Sequence, residues 1–237
     1  MDAAFAELAW SLNAAGSAGA AMLVAPEVYL PGYNNDTIPA LAQNRAGGWH
    51  GLLSALCRSA NCGLVVGYAE REDAQVYNAA LALDATGAPL AHYRKIQLYG
   101  AREAAIYAPG DAYVTFDLLG TKAAILICYD VEFAPHIAAL AARGVKVILV
   151  PTANMQPFTH VAAYTVAAMA ANHGVTIAYA NYCGVEGNLT YVGGSLIAGP
   201  HGEVLAQAGV GPALLIVELP GLDPARLSTQ AQDFRKV

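Results

Sequence analysis

The sequence predicts an α/β chain folded as a four-layer α-β-β-α sandwich of two mixed sheets, and three observations carry that expectation. The first is the apolar run Ala123-Ala124-Ile125-Leu126-Ile127, which follows the turn-like Gly120-Thr121-Lys122 as a strand buried on both faces would. A helical stretch from Pro135 to Arg143, closed by Gly144, and a second apolar run, Val145 to Val150, complete a parallel strand–helix–strand unit. The second observation is the order of elements: helices alternating with strands, then hairpins, occur twice, as two similar halves would require. The third is composition. Hydrophobic residues make up 56% of the 237 and charged residues only 13%, enough for one domain over residues 1–237 with a large core and a subunit contact.

In chain order, Ala3 to Ala14 reads as an amphipathic helix with Phe5, Leu8, Trp10 and Leu12 as its apolar residues. Ala21 to Ala25 is a short buried strand ending at Pro26-Glu27. Residues 31–47, with Pro31, Gly32, Asn34, Asn35, Pro39 and Gly47, read as a long loop. Trp49 to Ser59 is a second helix and Gly63 to Tyr68 a strand. Val76 to Leu83 and Leu90 to Tyr93 form a hairpin over Asp84-Ala85-Thr86-Gly87. The chain then passes Arg94-Lys95 into a loop holding Glu103 and the turn Pro109-Gly110-Asp111. Beyond the central unit, Phe158 to His173 is a helix stopped by Gly174, and Val175 to Asn181 is a strand. Tyr191 to Ile197 and Glu203 to Ala208 pair over Pro200-His201-Gly202, and Ala213 to Glu218 adds a strand. From Leu222 on the residues are more polar and read as a tail or exchange arm.

Several functional classes are disfavoured. A net charge of −6 with no basic run argues against nucleic acid. No apolar run approaches the roughly 18 residues of a membrane span, and the start Met1-Asp2-Ala3-Ala4 lacks the basic character of a signal peptide. The cysteines at 57, 62, 128 and 183 form no zinc-like pairs, so the expected setting is reducing and cytoplasmic. The histidines show no HxxxH or HExxH spacing, and no glycine-rich phosphate motif occurs; neither a metal nor a cofactor is expected. Gly193-Gly194-Ser195-Leu196-Ile197 lacks the second glycine of a serine nucleophile elbow.

What remains is chemistry at strand ends, where ligands collect beside parallel strands. Cys128 ends the central strand, Glu27 follows the strand at 21–25, and Lys95 follows the strand ending near Tyr93. Taken singly these are an inert thiol and two solvated loop residues; three polar groups each leaving a buried strand can converge. A thiol, with an ordinary pKa near about 8.5, must lose its proton to attack a carbonyl carbon. A carboxylate in an apolar pocket can take that proton and return it to the leaving amine. An ammonium stabilises the oxygen that becomes negative, and the Tyr129 N–H is a second donor for it. Asn154 and Met155 follow another strand end and either line the substrate pocket or form a plain loop.

Glu27 in Ala-Pro-Glu, Lys95 in Tyr-Arg-Lys and Cys128 in Ile-Cys-Tyr-Asp resemble the Glu–Lys–Cys constellation of the nitrilase (carbon–nitrogen hydrolase) superfamily. Glu103 eight residues after Lys95, Pro109-Gly110-Asp111, Gly193-Gly194-Ser195 and Gly199-Pro200-His201-Gly202 are similar to the family pattern as well. The resemblance implies the α-β-β-α sandwich, a cysteine thioester intermediate, Glu103 as a second carboxylate holding Lys95, and a homodimer or higher homo-oligomer. Nitrilases proper place Trp-Glu after the cysteine, where this chain has Tyr129-Asp130; an amidase acting on small-molecule amides is therefore expected, with hydrolysis of N-carbamoyl amines or nitriles, or an inactive binding module, as alternatives. The branch that hydrolyses amides of dicarboxylic acids commonly carries an arginine where this chain has Glu132, so Glu132 is expected to bias the site against carboxylates or to cap the helix that follows. Family members usually open with an apolar strand ahead of the first helix. This chain starts within the helix, so the expectation is an uncovered strand edge at a cost in stability.

Overall fold

The computed structural model describes residues 1–235, in which the apolar runs form two sheets packed face to face. Lys236 and Val237, the end of the expected tail, lie outside the described residues. The first sheet runs in spatial order β1 (Met22–Val24), β2 (Gly63–Glu72), β3 (Gln75–Leu83), β4 (Pro89–Arg94). β1 is parallel to β2; the others form an antiparallel meander. The remaining strands are β5 (Thr115–Leu118), β6 (Thr121–Ile125), β7 (Val147–Thr152), β8 (Thr176–Asn181), β9 (Cys183–Glu186), β10 (Leu189–Val192), β11 (Leu196–Ala198) and β12 (Val204–Gln207). Of these, β12-β11-β8-β7-β6-β5 make the second sheet, parallel in its centre, while β9 and β10 pair as a separate hairpin.

The helices are α1 (Asp2–Ser17), α2 (Ile38–Leu41), α3 (Gly48–Ala60), α4 (Gly100–Ile106), α5 (Ala134–Ala142), α6 (Val166–His173) and α7 (Gln230–Asp233). The pleat of β2 shows how the layers arise. Val65 faces the second sheet with Ala80, Tyr93, Ile125 and Ile148, whereas Leu64 and Val66 face Leu8 and Leu12 of α1 and Leu53 and Cys57 of α3. Ile137 and Leu140 of α5 and Val166 and Ala170 of α6 close the other side. A strand buried on both faces reads as a continuous apolar run, and the sandwich follows from that.

Four local expectations are corrected. Glu103 lies on the short helix α4 rather than in a loop, and residues 31–47 contain α2; neither helix is long enough to show a period in sequence. β5 was not anticipated; Leu119 and Gly120, both at positive φ (51° and 82°), turn it directly into β6. The stretch 191–197 is interrupted, because Gly193 and Gly194 both adopt φ of 64°. Its first part pairs with β9, and its second part, β11, with β8 and β12. Finally, residues 213–218 are not a strand, having no backbone partner among the described residues. They border a groove of about 570 Å³ whose other wall includes β1, the edge strand of the first sheet.

Candidate active site

Three strand ends deliver three polar side chains to one place. After β1, Ala25 N donates to Val65 O (2.8 Å) and Gly67 N donates to Pro26 O (3.2 Å), so the chain stays on β2 as it reaches Glu27. Gly67 permits this approach: a Cβ there would fall 2.4 Å from Val28 N and 2.7 Å from Glu27 Cα. Lys95 leaves β4 with its N–H donated to Asn78 O (2.8 Å) and its carbonyl accepting from Gly110 N (2.7 Å). A Cβ on Gly110 would lie 2.2 Å from Arg94 O, which explains the glycine of the Pro-Gly-Asp turn. Cys128 opens a 3-10 turn, Cys128–Glu132, with φ of 45°, a left-handed conformation rare outside glycine and typical of strained functional positions. Asp130 holds that turn: its buried carboxylate accepts from Ile127 N (3.0 Å), Gln97 N (2.7 Å) and Tyr93 Oη (2.8 Å).

Lys95, Glu27 and Glu103 are fully buried. Lys95 Nζ donates to Glu27 Oε1 at 2.6 Å and to Glu103 Oε1 and Oε2 at 2.8 and 2.9 Å. Glu27 Oε1 also accepts from Asn78 Nδ2 at 2.7 Å, while its buried Oε2 has no partner among the described residues. That free oxygen is available to accept a proton. Glu103 accepts in addition from Tyr99 N (2.8 Å) and Tyr33 Oη (2.7 Å). Cys128, by contrast, is only partly buried.

The electrostatics suit proton transfer better than a standing thiolate. Burial, reinforced by Glu27, pushes the Cys128 thiol well above its ordinary value, against the pull of Lys95 and the Ala153 N–H. Burial pushes the Glu27 carboxyl up to about 7 despite Lys95. Burial disfavours the Lys95 ammonium, but Glu27 and Glu103 outweigh it and hold Lys95 above the usual lysine value. The resting site thus holds a thiol, an ammonium and a carboxylate poised to accept a proton near neutral pH. Because Glu27 must be ionised to do so, kcat/KM is expected to fall as pH drops through about 7. A kcat/KM profile that stays flat down to about pH 5 would contradict this.

The other sequence candidates lie close by. Tyr129 N–H stands in the first turn after Cys128, where helical N–H groups lack partners within the turn. The Tyr129 ring joins an aromatic wall, edge-on to Tyr99 (5.3 Å) and Phe133 (4.9 Å), with Phe158 5.8 Å from Tyr99. Glu132 is half-buried; its carboxylate accepts no hydrogen bond among the described residues, and burial raises its pKa against the opposing influence of His160 and Lys95. Asn154 is buried, with Nδ2 donated to Phe158 O (2.9 Å) and its N–H to Asn181 Oδ1 (2.8 Å), so it shapes the wall rather than offering a free donor. Met155 bridges to Tyr191 on β10. Asn78, Tyr33 and the Ala153 N–H carry no signal in the sequence, whereas Asp130 does, as the last residue of Ile-Cys-Tyr-Asp.

Fold and site together have the make-up of a cysteine hydrolase, a thiol set among a buried carboxylate and ammonium. The pattern of the carbon-nitrogen hydrolase family matches residues 2–223. The chain is 41% identical over 82% of its length to a hydrolase encoded in the pqqF 5' region of Pseudomonas protegens, covering 70% of that protein. It is 31% identical over 91% of its length to an (R)-stereoselective amidase of Pseudomonas sp, covering 78% of it. Among solved structures, a variant of the amidase from Nesterenkonia sp. AN1, in which acrylamide has added to the active-site cysteine, superposes with a TM-score of 0.85 at 35% identity, covering 96% of this chain and 88% of that one. The chain belongs to the carbon–nitrogen hydrolase (nitrilase) superfamily, in its amidase-like branch, and is an amide hydrolase working through a cysteine nucleophile.

Proposed function

We propose that this amidase converts small amides with uncharged or cationic acyl groups to a carboxylic acid and ammonia, with Cys128, Glu27, Lys95 and Glu103 as its machinery. The observation that supports this most is the single Lys95 ammonium shared by Glu27 and Glu103, with one oxygen of Glu27 left free in a buried site. Cys128 Sγ attacks the amide carbon as its proton passes to Glu27 Oε2. The tetrahedral oxyanion is held by Lys95 Nζ and the Tyr129 N–H, each such donor being worth about 3–4 kcal/mol. Glu27 returns the proton to the amine, the C–N bond breaks and ammonia leaves a thioester on Cys128. Water, deprotonated by Glu27, then attacks the thioester carbon; the C–S bond breaks, the thiol regains a proton and the acid is released.

Glu132 supplies the proposed charge preference. It shares a turn with Cys128 and lies beside the aromatic wall, half-buried and without a hydrogen-bond partner among the described residues. A substrate carboxylate at 4 Å would meet a penalty of about 4 kcal/mol at an effective dielectric near about 20, nearly a thousandfold in binding. Accordingly, kcat/KM for an aliphatic amide should exceed that for its ω-carboxylate analogue, and Glu132→Arg should narrow the gap. Preference of the unmodified enzyme for the carboxylate would end this reading; a nitrile and an N-carbamoyl amine in the same ammonia-release panel test the alternative substrates.

The proposal includes a cytoplasmic, self-associating enzyme without nucleic-acid or membrane partners. Four free cysteines, the net charge of −6 and the exposed Trp10 and Tyr164 support it. No helix among the described residues is long and apolar enough to cross a membrane.

A further inference from the structure

Tyr33 belongs to the stretch that reads in sequence as a loop, yet it is only 4% exposed. Its hydroxyl donates to Glu103 Oε1 at 2.7 Å, beside the bond that the same oxygen accepts from Lys95. The residue is gripped from two sides. Arg102, next to Glu103 on α4, donates to Tyr33 O at 2.9 Å and to Asn35 O at 3.3 Å, and its guanidinium lies 5.7 Å from the Tyr33 ring centroid. From the other side, the β9–β10 hairpin holds Asn34: its N–H donates to Glu186 Oε2 (2.9 Å), and its Nδ2 donates to Glu186 O (2.7 Å) and Asn188 Oδ1 (2.9 Å). Tyr191 of β10 also donates to Glu186 and packs edge-on to Tyr33 at 6.5 Å.

We propose that Tyr33 is a positioning residue of the amidase reaction: its hydroxyl fixes the Glu103 carboxylate so that Lys95 is aimed at the developing oxyanion, and the β9–β10 hairpin keeps Tyr33 in register through Glu186. This rests on the roles assigned above to Lys95 and Glu103. The reasoning is geometric. A lysine ammonium has three N–H donors, and with two of them directed at Glu27 and Glu103 the direction of the third is set. The last torsion of a glutamate is soft, so its orientation depends on partners bound to its oxygens. Without Tyr33 Oη, Glu103 Oε1 keeps only Lys95, and the carboxylate can swing about the bond its Oε2 accepts from Tyr99 N, carrying Lys95 away from the substrate oxygen. The interaction being protected forms only when negative charge develops, so the loss should fall on kcat rather than KM.

Tyr33→Phe keeps the ring and removes the donor. The expected result is a fall in kcat of about tenfold with KM within about twofold. Tyr107→Phe is the comparison: Tyr107 is equally buried in the same apolar cluster, but its hydroxyl has no partner among the described residues. It should leave both parameters within about twofold of the parent. Glu186→Gln, which acts from the hairpin, should lower kcat in the same direction by about threefold, and it decides the matter if Tyr33→Phe does not fold. A kcat for Tyr33→Phe no lower than that of Tyr107→Phe, or a loss carried by KM, overturns the proposal. So does an unchanged kcat in Glu186→Gln when Tyr33→Phe cannot be measured. Glu103→Gln assayed alongside separates the two levels: full activity there removes the role given to Glu103, whereas an inactive Glu103→Gln with a fully active Tyr33→Phe overturns only the role of Tyr33.

Discussion

Replacing Cys128 by alanine is expected to lower amide turnover by about 10,000-fold or more while the protein still folds. No other thiol can stand in. Cys57 and Cys62 are fully buried between the helices and the first sheet, and Cys183 lies on the β9–β10 hairpin. The rest of the machinery has no alternative nucleophile to activate: Glu27 Oε2, without a partner among the described residues, would have no thiol proton to accept. Alanine also keeps the left-handed backbone at residue 128 no worse strained than cysteine does, so folding should not obscure the result. Ammonia release and a melting curve on the same preparation check both halves. Substantial activity in Cys128→Ala, in protein free of host amidase, would contradict the assignment.

Lys95→Met is expected to cost activity and stability together, and the stability loss should depend on pH with a definite sign. The substitution leaves two fully buried carboxylates that had shared one ammonium at 2.6 and 2.8 Å. Breaking a buried ion pair by removing one partner typically costs about 3–5 kcal/mol. Burial already pushes Glu27 up to about 7 with Lys95 beside it, and removing the ammonium pushes it further. A carboxyl whose folded-state pKa is raised favours folding fully only below its unfolded value, near about 4.3, and loses that contribution as pH rises through the folded value. The gap in melting temperature between wild type and variant should therefore be widest at neutral pH and narrow towards about pH 5. Turnover should fall by at least about a hundredfold, as for loss of an oxyanion donor. Equal melting temperatures at neutral pH, or a gap that widens in acid, would contradict the buried carboxylate–ammonium arrangement.

The parts of this site that are legible in sequence are those that interrupt an apolar run. Cys128, Glu27 and Lys95 stand out because each comes just past the end of a strand, β6, β1 and β4 respectively, and the layer order follows from the apolar runs around them. Support from distant chain segments is not legible. Asn78 is 51 residues from Glu27 and Tyr33 is 70 from Glu103; both are polar residues in an ordinary strand or loop until packing unites them. Helix α4 escaped because seven residues hold less than two turns' worth of pattern. The split at Gly193 and Gly194 escaped because the apolar residues on either side keep strand character while the backbone between them turns over. Residues 213–218 show the converse: strand-like composition is not a strand until a neighbour supplies hydrogen bonds.

The central claim is a thioester between the substrate's acyl group and Cys128. Acid quenching during turnover of a small aliphatic amide, followed by intact-mass and peptide mass analysis, tests it most directly. The expected result is a protein heavier by the amide minus ammonia, with the added mass confined to the peptide that contains Cys128 and absent from Cys128→Ala. An acyl group mapped to another residue while the Cys128 peptide stays unmodified, or an adduct that retains the amide nitrogen, would contradict it.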